Sequence, residues 1–319
     1  MAELRIGISG WRYAPWRGTF YPIGLVQKRE LEFASRQVNS IEINGSFYSL
    51  QHVSSWKRWS DETPDDFIFS VKGSRYITHL KRLRSVKQPL ANFFAQGILA
   101  LEHKLGPILW QFPPNFSFDA ERMETFMNLL PQDTDDASRL ARRHDERLNR
   151  RSYLTVKSHR ALRHAIEIRH ESFRSPEFIA LLRKHNIALV VADTAGKWPF
   201  LEDLTSDFVY ARLHGDEELY VSGYTPRALN EWTKRVAAWQ EGNEIDNAIH
   251  ASEAPPPKHR HRDVYVYFDN DVKVRAPFDA ISLARRTGGY TPKNLSSKPP
   301  ENVQAAPLRG WPAVRNKRA

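Results

Sequence analysis

Short apolar runs alternate along this chain with longer stretches whose apolar residues recur at helical spacing. Leu4–Ser9 reads as a first strand and Gln27–Gln37 as a helix. Ser40–Asn44 is a strand and Val53–Asp61 a helix; Phe67–Lys72 is a strand and Gln88–Lys104 a helix. Pro107–Gln111 is a strand, and Asp119 caps a helix that runs to Leu130. A polar, arginine-rich stretch, 132–163, interrupts the rhythm. It resumes with strand His164–Arg169, a helix opened by Ser175 and Pro176 and ending at His185, and strand Ile187–Asp193. Strand Phe208–His214 precedes a helix from Thr225–Pro226 to Glu241, and Val264–Phe268 precedes a helix over Asp279–Thr287. Such alternation predicts parallel strands joined by crossover helices, and eight units predict a closed (β/α)8 barrel, an α/β fold.

Length supports one barrel over residues 1–290. Setting aside the 132–163 insertion, between the fourth and fifth βα units, and the 291–319 tail leaves 258 residues, against about 250 in an ordinary barrel. The tail has little apolar anchoring and is expected to be disordered. The net charge of +10 raises the question of nucleic acid. It is concentrated: the insertion is net +4, loop 254–263 net +2 and the tail net +5, so the remainder is close to neutral. Those three segments are where phosphate contacts would lie if the protein bound nucleic acid; solvated basic loops are the plainer alternative. The absence of cysteine excludes disulfides, thiolate metal sites and cysteine nucleophiles. No apolar run reaches membrane-spanning length and the N-terminus lacks a leader pattern, so a cytoplasmic location without membrane contact is expected.

The ends of the strands are polar. Side chains alternate across a strand, so Glu42 and Asn44 share one face while Ile41 and Ile43 take the other. The same alternation pairs Glu167 with Arg169, and Arg212 with His214. Barrel strands are covered outside by helices, which points these polar residues inward. Lys72, Gln111, Asp193 and Asn270 end other strands, at the face where barrel enzymes keep their sites. Three acids, Glu42, Glu167 and Asp193, would then face three bases, Lys72, Arg169 and Arg212.

Two readings fit: a structural ion-pair network, or a site for a small polar, anionic ligand. In the second, Lys72, Arg169 and Arg212 hold the anion, Asn44, Tyr48, Gln111 and Asn270 complete the binding surface, and Glu42, Glu167, His214 and Asp193 supply acid–base groups. Lys72 alternatively pairs with Glu42 or forms a Schiff base. His214 is equally readable as a neutral structural histidine. Trp11, Tyr13, Trp16, Phe47 and Tyr48 follow the first two strands and suit stacking on a ligand or loop packing. Gln111 and His214 stand where barrel glycosidases commonly place carboxylates, which argues against that mechanism. No metal and no cofactor is expected: His214 alone among the histidines ends a predicted strand. A protein-interaction module using the tail is a third possibility, and oligomeric state is left open.

Several of these stretches resemble one known family. They are Gly7-Ile8-Ser9-Gly10-Trp11 with Tyr21-Pro22, Ile41-Glu42-Ile43-Asn44-Gly45-Ser46-Phe47-Tyr48, Phe69-Ser70-Val71-Lys72, Leu109-Trp110-Gln111-Phe112-Pro113-Pro114, Glu167-Ile168-Arg169, Arg212-Leu213-His214-Gly215 and Tyr267-Phe268-Asp269-Asn270. In this order they are similar to domain of unknown function 72, the YecE-like family. The resemblance implies a TIM barrel and leaves the activity open. That fold is similar to those of sugar isomerases and of a metal-dependent abasic-site endonuclease, whose histidine and acidic ligands have no counterpart here. The insertion and the tail depart from the compact family pattern.

Overall fold

The computed structural model describes residues 2–288. Eight strands close in chain order into one barrel, every neighbouring pair parallel. They are β1 (Leu4–Ser9), β2 (Ser40–Ile43), β3 (Ile68–Lys72), β4 (Leu105–Gln111), β5 (His164–Glu167), β6 (Ala188–Asp193), β7 (Phe208–Leu213) and β8 (Asp263–Phe268). Outside them lie α1 (Glu30–Ala34), α2 (Val53–Asp61), α3 (Lys87–Ala95), α4 (Ala120–Leu129), α5 (Thr134–Ala141), α6 (Pro176–Lys184), α7 (Pro226–Gln240) and α8 (Ala276–Arg286). Asp119 caps α4 as expected, accepting from the Arg122 amide.

Alternation along each strand makes two cores. Ile8, Ile41, Ile43, Val71, Trp110, Ile166, Val191, Leu213, Val264, Val266 and Phe268 pack outward in the layer shared with the helices. Leu109, Ala165, Val190, Ala192, Tyr210 and Tyr267 fill the barrel interior. Burying these apolar side chains, at roughly 1.5–3 kcal/mol for each large one, is the main force closing the ring.

Two local expectations change, and one connection is irregular. Gln88–Lys104 is not one helix: α3 stops before Gly97, and a 3-10 segment follows over Ile98–Lys104. Gly97 has φ +121°, and a Cβ there would lie 2.5 Å from the Trp56 ring, so the chain turns where only glycine fits. Strands six and seven are joined without a helix. Segment 194–207 instead opens with a turn at Ala195–Gly196 and continues without regular structure, with Glu202 held by Arg235 (2.8 Å) and Asp203 accepting the amides of Ala251 and Ser252. The insertion is folded, not a loose loop. Its helix α5 packs on α3, Ala137, Ala141 and Leu148 are buried, the Tyr153 amide donates to the Ala95 carbonyl (2.8 Å), and Asn92 accepts from the Asp145 amide (3.0 Å). The 291–319 tail lies outside the described residues.

Candidate site at the barrel mouth

Arg212 is the centre of the mouth. As the inward residue next to the end of β7, it is fully buried. Its Nε and Nη2 donate to both oxygens of Glu42 (3.0 and 2.9 Å), and Nη1 donates to Glu167 (2.7 Å). Nη2 also reaches Asp269 and the Ser9 hydroxyl, both at 2.9 Å. One guanidinium thus joins three carboxylates from three strands or their ends, using the planar fork that lysine lacks.

Each carboxylate has further partners. Glu42 accepts from Ser9 and from the Tyr210 hydroxyl (2.7 Å). Glu167 accepts from Gln111 at both oxygens (2.9 Å each) and from Arg169 Nε (2.9 Å). Burial alone would raise Glu167; Arg212, Arg169, His214 and Lys72 outweigh it and hold the carboxyl well below its usual range. Asp269 is lowered in the same way, by Arg212 and His214 against burial. His214 accepts from Arg212 at Nε2 (3.3 Å), and its Nδ1 lies 3.2 Å from Asp269. Burial and the Arg212 charge lower its pKa. Beneath this layer the Tyr267 hydroxyl bridges Ser40 (2.6 Å) and Ser70 (2.7 Å).

Lys72 differs from all of these. It is 8% exposed, and among the described residues no carboxylate comes within 4.0 Å of its ammonium. The ion pair with Glu42 considered from sequence is therefore not made. Lys72 Nζ lies instead 4.7 Å from the centre of the Phe47 ring. Burial first, then Arg212, lower its amine to about 8, with only partial offset from Glu42, Asp269 and Glu167.

The rim is aromatic and partly open. Arg169 lies 3.9 Å from the Trp198 ring centre and donates to the Tyr220 hydroxyl (3.2 Å). Tyr48, 62% exposed, packs edge-on against Phe47, and His79 does the same from the other direction. Tyr13 donates to the Ser9 carbonyl (2.5 Å), and Asn44 Oδ1 is buried without a hydrogen-bond partner. Asp271 completes the rim; burial and the neighbouring Asp269 push it up to about 7. The floor residues Glu42, Glu167, Arg212 and His214 are fully buried. Two hollows elsewhere, of about 10 Å³ and about 400 Å³, share no residue with the mouth.

The structure thus brings together Glu42, Asn44, Tyr48, Lys72, Gln111, Glu167, Arg169, Arg212 and His214. It leaves out Asp193 and Asn270, which have the wrong parity. Asp193 follows the outward Leu189 and Val191; it accepts from Tyr224 (3.0 Å) and is pushed up to about 6, first by burial. Asn270 donates to Asp279 (2.8 Å) and to the Ser222 carbonyl (2.9 Å) behind the strand. Ser9, His79, Trp198, Tyr210, Tyr220, Asp269 and Asp271 were missed. For Asp269 the signal was present: Val264, Val266 and Phe268 are outward, so Tyr265, Tyr267 and Asp269 point inward.

The insertion and loop 254–263 lie at the opposite end, where the strands begin. Arg163 donates to Asp263 (2.6 Å) and Asp207 (3.0 Å), tying the start of β5 to the approaches to β7 and β8. Arg262 is buried on the carbonyls of Ser206, Gly242 and Pro257, and Lys157 pairs with Glu102. Asp133, Asp135 and His159 lie together in the insertion, but Asp133 already caps α5 and His159 pairs with Asp135. Among the described residues no helix is long and apolar enough to cross a membrane.

Known proteins share this architecture. A DUF72 family protein from Thermotoga maritima superimposes with a TM-score of 0.68 at 24% identity, covering 89% of this chain and 98% of that one. In sequence, UPF0759 protein YunF of Bacillus subtilis is 28% identical over 125 residues, 38% of this chain and 43% of YunF. UPF0759 protein YecE of Escherichia coli is 29% identical over 136 residues, 37% of this chain and 47% of YecE. The matched stretches thus span under half the length of these two relatives. The profile described as "Protein of unknown function DUF72" matches residues 5–304, and the chain belongs to that family.

Proposed function

We propose that the mouth binds a small polar ligand through an anionic group placed between Lys72 and Arg169. The observation that carries this reading is Lys72, a buried cation for which the fold supplies no counter-charge. Unpaired charge in a poorly solvated place is costly and is retained where something else compensates it. The three carboxylates whose charge reaches Lys72, Glu42, Asp269 and Glu167, are already engaged by Arg212, so the compensating anion comes from outside. Arg169, paired on one side with Glu167 (2.9 Å), offers a second cation at the mouth, and Phe47, Trp198 and Tyr48 offer flat apolar surface to a sugar or similar ring.

In this reading Glu42, Glu167 and Arg212 are scaffold. The acid–base duty expected of the glutamates passes to Asp271, which titrates near neutrality at the rim. Titration with inorganic phosphate and a set of sugar phosphates, followed by thermal shift and by crystallography of the soaked protein, tests the proposal. An anion between Lys72 and Arg169, weakened at least roughly tenfold by Lys72→Met, is expected. No binding at millimolar concentration, with no gain in stability, ends it.

A further inference from the structure

We infer that Lys72 is an amine nucleophile that forms a Schiff base with a small aldehyde or α-keto acid held at the barrel mouth. The inference rests on the mouth being a ligand site and names its substrate class. Its basis is a contrast between two buried lysines. Lys104 is 3% exposed and hydrogen-bonded three times, to the carbonyls of Ser60 (2.6 Å) and Thr63 (2.9 Å) and to the Thr63 hydroxyl (3.3 Å). Its ammonium is used up by structure. Lys72 is nearly as buried at 8% exposure, yet it makes no ion pair among the described residues and faces only the Phe47 ring.

The groups around Lys72 explain why no partner is left. Glu42 is filled by Ser9, Tyr210 and Arg212; Glu167 by Gln111, Arg169 and Arg212; Asp269 by Arg212, with His214 beside it. Arg212 meanwhile repels a second positive charge. Such a site favours the neutral amine, the form with a lone pair to attack a carbonyl. With its pKa at about 8 instead of 10.5, Lys72 carries roughly two orders of magnitude more neutral amine at pH 7 than a solvated lysine.

The steps balance within the site. The Nζ lone pair attacks the carbonyl carbon, the C=O π pair moves to oxygen, and that oxygen takes a proton. The nitrogen gives up one proton to a base. The hydroxyl, protonated, then leaves as water, and a C=N⁺ bond remains. Asp271, the rim carboxylate raised to about 7 first by burial and then by Asp269, takes that proton in this scheme, while His79, lowered to about 4 first by burial and then by Lys72, stays neutral against the same Phe47 ring. Arg169 would hold the carboxylate of an α-keto acid.

Trapping tests this directly. The full-length wild-type protein is incubated at pH 7 with glyoxylate and sodium cyanoborohydride, which reduces the C=N⁺ bond, and carboxymethylated lysines are mapped by peptide mass spectrometry. Labelling of Lys72 at least roughly tenfold faster than any other lysine is expected, with Lys104 unlabelled and Lys72 protected by inorganic phosphate. Labelling spread over surface lysines without preference for Lys72 overturns the inference. The same sample is titrated with inorganic phosphate alone. Phosphate binding without the Lys72 adduct overturns the amine role and leaves the anion site standing; loss of both ends both. Lys72→Arg should keep phosphate binding and lose the adduct, and the wild-type map decides the matter if that variant does not fold.

Discussion

Replacing Arg212 by methionine keeps most of the side-chain volume and removes the charge on which the mouth is assembled. Glu42 and Glu167 are fully buried and Asp269 is 14% exposed. Arg169 still faces Glu167, but among the described residues Glu42 has no other cation within ion-pair distance. Removing one partner of a buried ionic cluster costs about 3–5 kcal/mol, a large share of the roughly 5–15 kcal/mol that holds a folded protein together. The loss depends on pH with a definite sign. In the wild type, Glu167 and Asp269 have depressed folded pKa values, so their contribution is present above the unfolded value near 4 and fades as pH falls through the folded values. In R212M, Asp269 loses the largest of the charges that hold it down and keeps only His214 and Lys72 against its burial. Its folded value rises, so the stability it contributes above pH 4 is reduced. Urea unfolding of both proteins at pH 8 and pH 4.5 should therefore show a gap of about 3–5 kcal/mol that shrinks by half or more at the lower pH. A gap independent of pH, or an R212M as stable as wild type at pH 8, would refute the electrostatic account of the mouth.

Lys72 gives the opposite profile. Because its folded pKa is lowered to about 8, its charge opposes folding below that pH, by roughly 3 kcal/mol, and the penalty lifts between pH 8 and 10.5; K72M should be more stable than wild type at pH 7 and lack that rise in denaturant curves. Asp193, raised to about 6, favours folding below pH 4 and costs stability as pH passes 6; D193N should flatten that stretch of the thermal-melt profile and leave phosphate affinity within about twofold, whereas a collapse of affinity would place Asp193 in the site after all. His164 accepts from Trp110 Nε1 (3.2 Å) and lies 2.8 Å from the Pro131 carbonyl; His164→Phe leaves both unpaired and should cost about 2 kcal/mol in urea unfolding, with no change expected from phosphate titration.

The barrel was legible because period-two strands and helical stretches leave different marks, and eight strands with helical stretches between most of them admit few arrangements. The mouth was legible at β2, β5 and β7 for a narrower reason: an apolar–polar–apolar–polar run declares which face is inside. Where the inward residues are themselves apolar, as Val190 and Ala192 are, the last polar residue gives the wrong answer, and Asp193 was read as inward. The folding of 132–163 was hidden because it is held by contacts distant in sequence, α5 with α3. Lys72's isolation could not be read at all, since it depends on how Arg212 divides three carboxylates.

That division has a consequence for how such a barrel diversifies. Through one side chain, strands β1, β2, β5 and β7 and the residue after β8 are fastened together, so the chemistry of the floor cannot drift without loosening the ring. Phe47, Trp198, Tyr220 and Asp271 stand on the segments that follow the strands and carry no comparable duty. New ligands in descendants of this protein, natural or engineered, should therefore arise by exchange of the rim over an unchanged base.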